Sequence, residues 1–308
     1  MVSGTRPMEL PPATLAIDAG CALGESIVWC DRFHALWWTD IEARRIWRHH
    51  PASGERHGWD TPGRVGSLAL CESGALLLGM EDALWRAVID PDAAGIAPDY
   101  ERLCDVPLDG PGLRINDGRV DRDGNFVFGT LNGDPARART GRFFQYSTRH
   151  GLRPLDIEPV AIANGICFMP DGTGMYYCDS LQRRIMHARY DAGTARVSSP
   201  RVFAVIDAPG EPDGAIVDAD GHVWSAQWGA TRVVRHAPSG EVERILPVPT
   251  PQPTCMTFAG AERGTLFITS AKTGLDDETL QALPGAGGVF TTAVQGVRGL
   301  VEARVAGA

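Results

Sequence analysis

The hydrophobic and polar positions of this chain repeat in a unit made of a turn followed by a short apolar strand. Six such units occur, and successive turns lie about 41 to 50 residues apart, the spacing of one four-stranded propeller blade. Residues 121–124 lead in this way into the apolar stretch 125–130, and residues 218–221 lead into 222–226. The pattern therefore predicts an all-β fold, a six-bladed β-propeller with four-stranded blades around a central channel.

The stretches between these units complete the predicted blades. A third, amphipathic strand follows each hairpin, as at residues 45–49 and 231–235, and a glycine-bearing turn then leads to a more polar stretch. This order is typical of an apolar inner strand, two middle strands and a polar outer edge. Residues 14–18 precede the first unit without a hairpin partner, so we expect them to pair with the last blade and close the ring.

Four polar residues share one position in the repeat. Glu25, Asn116, Asn164 and Asp213 each begin a short run of strand residues that ends in a turn eight positions later. If the runs are equivalent inner strands, equal offsets bring the four side chains together at one mouth of the channel. Two carboxylates and amide oxygens form a hard ligand set for a divalent cation, and water or substrate would complete it. The shared offset therefore predicts a metal site.

Length and composition are consistent with one domain. The chain has 308 residues, 44% of them hydrophobic, and its 36 glycines and 22 prolines suit a fold rich in turns. We expect residues 1–308 to form a single propeller domain, with residues 1–13 as a flexible N-terminal segment. The net charge of −9 offers no basic surface for nucleic acid or for an anionic membrane, so neither is expected as a partner.

The N-terminus and the cysteines predict a cytoplasmic protein. Residues 1–7 lack the apolar stretch of a signal peptide, and no run of about 18 apolar residues occurs anywhere. The seven cysteines are an odd number and lack CxxC spacing, and most lie in or beside apolar strands. Buried free thiols in a reducing compartment explain this distribution more simply than disulfides do.

At this point the motifs resemble those of the SMP-30/gluconolactonase/regucalcin family of six-bladed propellers, over about residues 22–271. The matching motifs are Leu23-Gly24-Glu25-Ser26, Arg114-Ile115-Asn116-Asp117-Gly118-Arg119-Val120-Asp121 with Gly129-Thr130 after it, Ala163-Asn164-Gly165-Ile166, and Pro212-Asp213-Gly214. The resemblance implies hydrolysis of a sugar-acid lactone, pentono- or hexono-, to the free acid in carbohydrate catabolism.

The resemblance also implies the cofactor and its ligands. The residues that match Glu25, Asn164 and Asp213 hold one divalent metal cation in this family. The oxygen ligands favour Ca, Mg or Mn, and Zn or Fe(II) would fit with added waters. Asp213 is in addition the catalytic residue that would accept a proton from the attacking water.

The substrate-binding residues follow from the same resemblance. Those that match Arg114 and Asn116 bind the sugar lactone, and Asp134 is the candidate for an acidic residue that touches substrate shortly after the Gly-Thr pair. Arginine offers a fixed fork of donors and asparagine offers both a donor and an acceptor, which suits a polyhydroxylated ring. Ring size and stereochemistry would be read by loop residues, with Gln182, Gln227 and Trp228 as candidates.

Two alternatives remain open at the level of sequence. One is a metal-dependent esterase of another substrate class, such as aryl esters or phosphotriesters, although those substrates favour an apolar pocket. The other is a calcium-binding propeller without turnover, because a ligand set fit for catalysis also simply binds metal. Fold similarity does not by itself decide the chemistry.

Overall fold

The computed structural model describes residues 6–90, 97–110 and 112–308. They form six sheets arranged as a ring. Five of the sheets contain four successive antiparallel strands, and the sixth combines three successive strands with one from the N-terminal part of the chain. The inner strand of each sheet contacts the inner strands of both neighbouring sheets, so the ring is closed around a central channel. The prediction of a six-bladed, all-β propeller is confirmed.

Two short strands, β1 (Met8–Glu9) and β2 (Thr14–Ile17), precede the first complete blade. Counted from the channel outward, blade 1 comprises β3 (Gly24–Cys30), β4 (Ala35–Asp40), β5 (Arg45–His49) and β6 (Arg56–Asp60). Blade 2 comprises β7 (Val65–Leu70), β8 (Leu76–Met80), β9 (Ala83–Val88) and β10 (Asp99–Asp105). Blade 3 comprises β11 (Leu113–Val120), β12 (Phe126–Asn132), β13 (Phe143–Ser147) and β14 (Gly151–Pro154).

Blade 4 comprises β15 (Ala163–Phe168), β16 (Gly174–Asp179), β17 (Arg184–Asp191) and β18 (Arg196–Val205). Blade 5 comprises β19 (Glu211–Val217), β20 (Val223–Trp228), β21 (Arg232–His236) and β22 (Val242–Pro247), and blade 6 contains β23 (Pro253–Ala259), β24 (Thr265–Ser270) and β25 (Val289–Ala293). The described helices are a 3-10 turn at Ser180–Gln182 and α1 (Asp277–Ala282). None in these ranges is long and apolar enough to cross a membrane.

The N-terminal strand β2 closes the ring. It pairs antiparallel with β25, with Thr14 opposite Thr291 and Leu15 opposite Phe290, and so supplies the fourth strand of blade 6. The sequence prediction for residues 14–18 is confirmed. Because this blade is built from both ends of the chain, the two ends must come together before its sheet is complete.

The segment ahead of β2 lies along blade 5. Residues 1–5 of the segment expected to be flexible lie outside the described part. Met8–Glu9 pair parallel with β22, and the Leu10 N–H donates to Ile245 O at 2.8 Å. The Ala13 N–H donates to Pro247 O at 2.9 Å. The segment therefore gives blade 5 a fifth, outermost strand.

The hydrophobic core lies between the blades. Six buried clusters are formed by the described residues, and each contains side chains of neighbouring blades. Between blades 5 and 6, for example, the ring of Trp224 packs edge-on against Phe258, with their centroids 5.7 Å apart. Between blades 1 and 2, Trp37 shares a cluster with Leu68. Burial of these faces orients the inner strands toward the channel, where polar side chains can meet.

The seven cysteines are all free. Six are buried, and Cys104 is partly exposed. This agrees with the prediction of buried free thiols rather than disulfides.

The C-terminal segment covers one end of the channel. Gly299 forms a bridge to Asp218 of blade 5, and Val305 forms a bridge to Cys71 of blade 2, so the segment crosses the propeller between them. On the way, Glu302 accepts two hydrogen bonds from Arg119 Nη1, at 3.0 and 3.1 Å. Arg119 lies near the end of the inner strand β11, away from its start, so the starts of the inner strands surround the opposite mouth.

Candidate functional site

A cavity of about 390 Å³ lies where the inner strands begin. Glu25, Arg114, Asn116, Asn164 and Asp213 all line it, so five of the six residues predicted from the sequence come together. Residues two positions before the repeated polar residue also line the cavity, namely Leu23, Arg114, Ile162 and Glu211. Alternate residues of an extended chain lie on the same face. This explains why the repeated polar residue and the residue two positions before it both line the cavity in these four blades.

A β-bulge accompanies each repeated polar residue. In β3 the pairing shifts between Glu25 and Val28, and in β15 it shifts between Asn164 and Cys167, so two residues of each inner strand oppose one of its neighbour. The same irregularity occurs in β11 and in β19. A bulge bends a strand and re-aims its side chains, which brings these polar groups to the channel mouth.

The bulge in β3 contains a residue in an uncommon backbone conformation. Ser26 has φ of 54°, in the left-handed region that non-glycine residues rarely adopt. Its hydroxyl accepts a hydrogen bond from the Leu68 N–H of blade 2 at 2.8 Å, and its own N–H donates to Glu25 Oε2 at 3.1 Å. Contacts to the next blade therefore hold this conformation beside Glu25.

A series of hydrogen bonds, each running from donor to acceptor, connects blade 3 through blade 4 to blade 5. Arg114 Nη1 donates to Asn116 Oδ1 at 2.9 Å, and Asn116 Nδ2 donates to Asn164 Oδ1 at 2.8 Å. Asn164 Nδ2 donates to the Ser180 hydroxyl at 2.9 Å, which donates to Pro212 O at 2.8 Å. Because each amide nitrogen has an acceptor and each amide oxygen a donor, the network determines the orientation of both asparagines.

Burial, together with neighbouring carboxylates, raises the pKa of Glu25 and Asp213. Burial raises the pKa of Glu25 to about 8, and the nearby Asp117 carboxylate adds to the rise. Burial and then Glu25 raise the pKa of Asp213 well above its ordinary value. Like charges in one buried site oppose ionisation of both groups. A cation between them would remove that repulsion.

Asp117 stabilises the strands that carry the site residues. Its Oδ2 accepts a hydrogen bond from the Ile166 N–H at 2.8 Å, which ties β11 to the bulge of β15. Burial raises the pKa of Asp117, and hydrogen bonds from backbone N–H groups work against that rise. It is not among the residues that line the cavity.

The donor set at the inner part of the cavity fits a divalent cation. Glu25 and Asp213 contribute carboxylate oxygens, and Asn164 contributes an amide oxygen, which are hard ligands. Asn164 and Asp213 are each only 6% exposed, and two like-charged carboxylates in such a place call for a counter-charge. Within the described ranges, no group of three or more His, Cys, Asp or Glu side chains is arranged to hold a metal, so this donor set consists of two carboxylates and one amide.

Asp134, the remaining predicted site residue, does not line the cavity. Its Oδ1 accepts a hydrogen bond from the Ala136 N–H at 2.7 Å, and its own N–H donates to Asn132 Oδ1 at 2.9 Å. The side chain therefore stabilises the turn of its own loop. A contact between Asp134 and substrate stays a prediction without support from this geometry.

Of the three candidate loop residues, one lines the cavity. Trp228 does so, whereas Gln182 is exposed in the 3-10 turn outside it. Gln227 is buried and its Oε1 accepts a hydrogen bond from Arg232 Nε at 2.7 Å. Neighbouring residues of a strand point to opposite faces, so Trp228 and Gln227 cannot both face the cavity.

Sequence reasoning missed six polar residues that line the cavity, namely Glu42, Arg64, Arg137, Ser180, Glu211 and Thr273. Two of them had a signal. Glu211 lies two positions before Asp213, as Arg114 lies two before Asn116, and Ser180 directly follows the second strand of its blade. The other four lie on loops, where the repeat gives no guidance.

Comparisons with known proteins agree with this geometry. The model of the SMP-30/gluconolactonase/LRE-like region matches residues 23–272. An L-arabinolactonase of Azospirillum brasilense is 42% identical over 300 residues, which cover 96% of each chain. A 6-deoxy-6-sulfogluconolactonase of Pseudomonas putida is 34% identical over 289 residues, 92% of this chain and 95% of that protein.

The same relationship holds in three dimensions. The solved structure of a calcium-binding protein, regucalcin, from Agrobacterium tumefaciens matches with a TM-score of 0.86 and 27% identity. The match covers 98% of this chain and 99% of that one. The chain belongs to the SMP-30/gluconolactonase/LRE-like family.

Proposed function

We propose that this protein is a metal-dependent lactonase that hydrolyses a sugar-acid lactone, an aldonolactone, to the free sugar acid in carbohydrate catabolism. The observation that carries the proposal is the hydrogen-bonded series Arg114, Asn116 and Asn164, which joins a sugar-binding face to a cation-binding face in one cavity. Relatives that cover nearly the whole chain are named as sugar lactonases, which supports the same activity.

Glu25, Asn164 and Asp213 would hold the cation. Their oxygens favour Ca, Mg or Mn, with Zn or Fe(II) as further candidates. Similarity to a calcium-binding regucalcin supports binding of a divalent cation by this protein. When bound, such a cation supplies Lewis-acid polarisation of the lactone carbonyl.

Asp213 supplies the base. Its carboxylate takes a proton from water as the water oxygen attacks the carbonyl carbon of the lactone. The bond between that carbon and the ring oxygen then breaks, and the proton passes to the departing alkoxide, which becomes a hydroxyl. A cation bound by this carboxylate would make it a weaker base, so the proton would go to an Asp213 oxygen that does not hold the cation.

Arg114 and Asn116 orient the sugar. Arg114 is 6% exposed, and its Nη1 already donates to Ile115 O and Asn116 Oδ1, so the guanidinium is held in place before substrate arrives. Its other N–H groups remain as donors for ring hydroxyls and the carbonyl oxygen. Donors positioned in advance lower the cost of binding and of stabilising developing negative charge.

The charged lining of the cavity argues against the other ester substrates. Glu42, Arg64, Arg137 and Glu211 surround its more open part. An aryl ester or phosphotriester would have to desolvate these groups without giving them hydrogen-bond partners. A polyhydroxylated lactone provides those partners.

A lactone panel with and without chelator tests the proposal. Pentono- and hexono-lactones are added to purified protein, and acid release is followed with a pH indicator before and after chelation and after restoring Ca, Mg, Mn or Zn. We expect turnover of at least one lactone that stops with chelator and returns with a cation. Cation binding without turnover of any lactone would instead support a calcium-binding propeller, and turnover of aryl esters alone would support the esterase.

A further inference from the structure

The loop after β12 places an arginine side chain at the cavity, whereas the sequence predicted the carboxylate of Asp134 there. Arg137 lines the cavity, whereas Asp134 of the same loop does not. The Asp134 carboxylate caps the turn at the Ala136 N–H, and the Asp134 carbonyl accepts a hydrogen bond from the Arg137 N–H at 2.8 Å. These two bonds form a tight turn, which carries Arg137 back to the cavity wall.

Asn132 fixes the position of this loop. It is 7% exposed, its Oδ1 accepts from the Asp134 N–H, and its Nδ2 donates to Ala138 O and Thr140 Oγ1 at 3.3 and 3.1 Å. Gly133 N–H also donates to Gly112 O at 2.8 Å, which ties the loop to the start of blade 3. The loop is therefore held at both ends of the turn that carries Arg137.

Arg137 differs from the other arginine in the more open part of the cavity. Arg64 donates twice to Glu81, from Nε at 3.0 Å and from Nη2 at 3.1 Å, and its charge is neutralised there. Arg137 donates from Nη1 to Asn132 O at 3.2 Å. Its charge interacts with the Glu211 carboxylate of the same cavity, but among the described residues the two form no direct ion pair. Most of its guanidinium N–H groups are therefore available to a ligand.

Burial indicates which part of a substrate would reach Arg137. Asn164 and Asp213, at the inner part of the cavity, are each 6% exposed, whereas Arg137 is an exposed residue. The reacting carbonyl belongs beside the inner carboxylates, so the far side of the sugar points toward solvent. In an aldono-1,4-lactone that far side carries the exocyclic hydroxyl arm.

We propose that Arg137 is a specificity-determining residue that binds the exocyclic hydroxyls of the lactone. This inference rests on the proposed lactonase function. It adds which part of the substrate the protein would use to distinguish one lactone from another. A guanidinium can donate hydrogen bonds to two neighbouring oxygens at once. It would therefore bind the vicinal hydroxyls on the arm of a hexono-1,4-lactone better than the single hydroxyl of a pentono-1,4-lactone.

The test compares kcat and KM of wild type, Arg137→Ala, Arg137→Lys and Arg139→Ala on a pentono- and a hexono-1,4-lactone of matching ring configuration. Arg139 is the control, because it lies on the same loop, pairs with Asp179 at 3.4 Å and does not line the cavity. For Arg137→Ala we expect KM on the hexono-lactone to rise about tenfold, with kcat within about twofold and a smaller rise on the pentono-lactone, as for loss of one charged hydrogen bond. Arg137→Lys should recover part of the loss, and Arg139→Ala should match wild type.

Three results would overturn the inference. They are unchanged KM in Arg137→Ala, an equal rise for both lactones, or a fall in kcat alone, which would mean that the residue acts on the loop. If wild type turns over lactones in any of these cases, the lactonase function stands and only the role of Arg137 is lost. If wild type turns over neither lactone nor any other in the panel, the function itself fails and the inference fails with it.

Discussion

Asn116 Nδ2 donates a hydrogen bond of 2.8 Å to Asn164 Oδ1, although the two residues are 48 positions apart and belong to different blades. The bond joins the residue expected to bind sugar to a residue expected to hold the cation. Because an oxygen has two lone pairs, Asn164 Oδ1 can accept this bond and still offer a lone pair to a metal. The hydrogen bond therefore connects the side chains that we propose bind substrate and cation.

Ser180→Ala should weaken cation binding. The Ser180 hydroxyl accepts from Asn164 Nδ2, and its loss frees the amide to rotate away from the cavity. Loss of a group that orients a metal ligand typically costs about 10–100-fold in affinity, which calorimetric titration with Ca or Mn would measure. Ser270→Ala is the matched control, because Ser270 is buried and bonded to Gly288 O at the equivalent strand end of blade 6, outside the cavity. Equal losses in both variants would contradict a specific role for Ser180.

Glu25→Gln should change how stability depends on pH. The pKa of Glu25 is raised from 4.5 to about 8, so the folded protein keeps a proton that the unfolded chain releases between these values. Stability from this group is fully present below the lower pKa and is lost as pH rises through the higher one. In chelator, Tm of wild type should therefore fall more between about pH 5 and pH 9 than Tm of Glu25→Gln.

Added cation provides the second half of that experiment. At about pH 9, where Glu25 is ionised, a divalent cation should raise Tm of wild type and leave Glu25→Gln nearly unchanged. Glu42→Gln, an exposed carboxylate of the same cavity, should behave as wild type. Equal metal content in wild type and Glu25→Gln would remove Glu25 from the ligand set.

Arg114→Ala should impair turnover without removing the cation. The guanidinium contributes charged hydrogen bonds of about 1.5–3 kcal/mol each, so we expect kcat/KM on the best lactone to fall about 10–100-fold or more. Metal content, measured on the same preparation, should stay near that of wild type. Loss of metal or failure to fold would instead show that Arg114 is structural, in keeping with its bonds to Ile115 O and Asn116 Oδ1.

Asp213→Asn should separate the two roles of Asp213. The amide keeps an oxygen for coordination but lacks the basic site, so turnover at saturating cation should fall by about 10²–10⁴-fold. Saturation matters because loss of a charged ligand also weakens cation binding. Glu211→Gln is the comparison, since Glu211 lines the same cavity two residues earlier on β19. Near-normal turnover in Asp213→Asn with a large loss in Glu211→Gln would make Glu211 the base.

Glu302→Gln should destabilise the fold and leave turnover intact. Arg119 and Glu302 are 8% and 14% exposed at their side chains, and removal of one charge leaves a buried cation unpaired. Breaking such a pair costs about 3–5 kcal/mol, which urea unfolding would detect. Glu262→Gln is the control, because its pair with Arg298 is exposed and worth about 0–1 kcal/mol. A lactonase activity that fell with Glu302→Gln under native conditions would show that the covered end of the channel also affects the site.

The fold was predictable because its information is local and repeated. Each blade carries its own turn, its own apolar inner strand and its own polar edge, so six weak signals at one spacing support each other. The unpaired segment at residues 14–18 predicted ring closure for the same reason, and β2 does pair with β25. Equal offsets also predicted that Glu25, Asn116, Asn164 and Asp213 meet, since equivalent strands of a ring place equivalent residues around one axis.

The loops and long-range contacts depended on tertiary structure. Asp134 lies shortly after β12 in the chain, where a substrate-binding carboxylate was expected. Its carboxylate instead accepts a hydrogen bond within its own turn, and Arg137 of the same loop lines the cavity. Sequence spacing contains no information on which of several loop residues satisfies a backbone N–H.

The sequence by itself determined the number of blades, the closing strand and the four polar residues that share an offset at the channel mouth. Tertiary structure alone decided that Ser180 orients Asn164, that Arg137 lines the cavity, and that Glu302 pairs with Arg119 across 183 residues. The physical reason is that a strand's face follows from its alternating pattern, whereas the partner of a buried polar or charged group follows from which distant segment packs beside it.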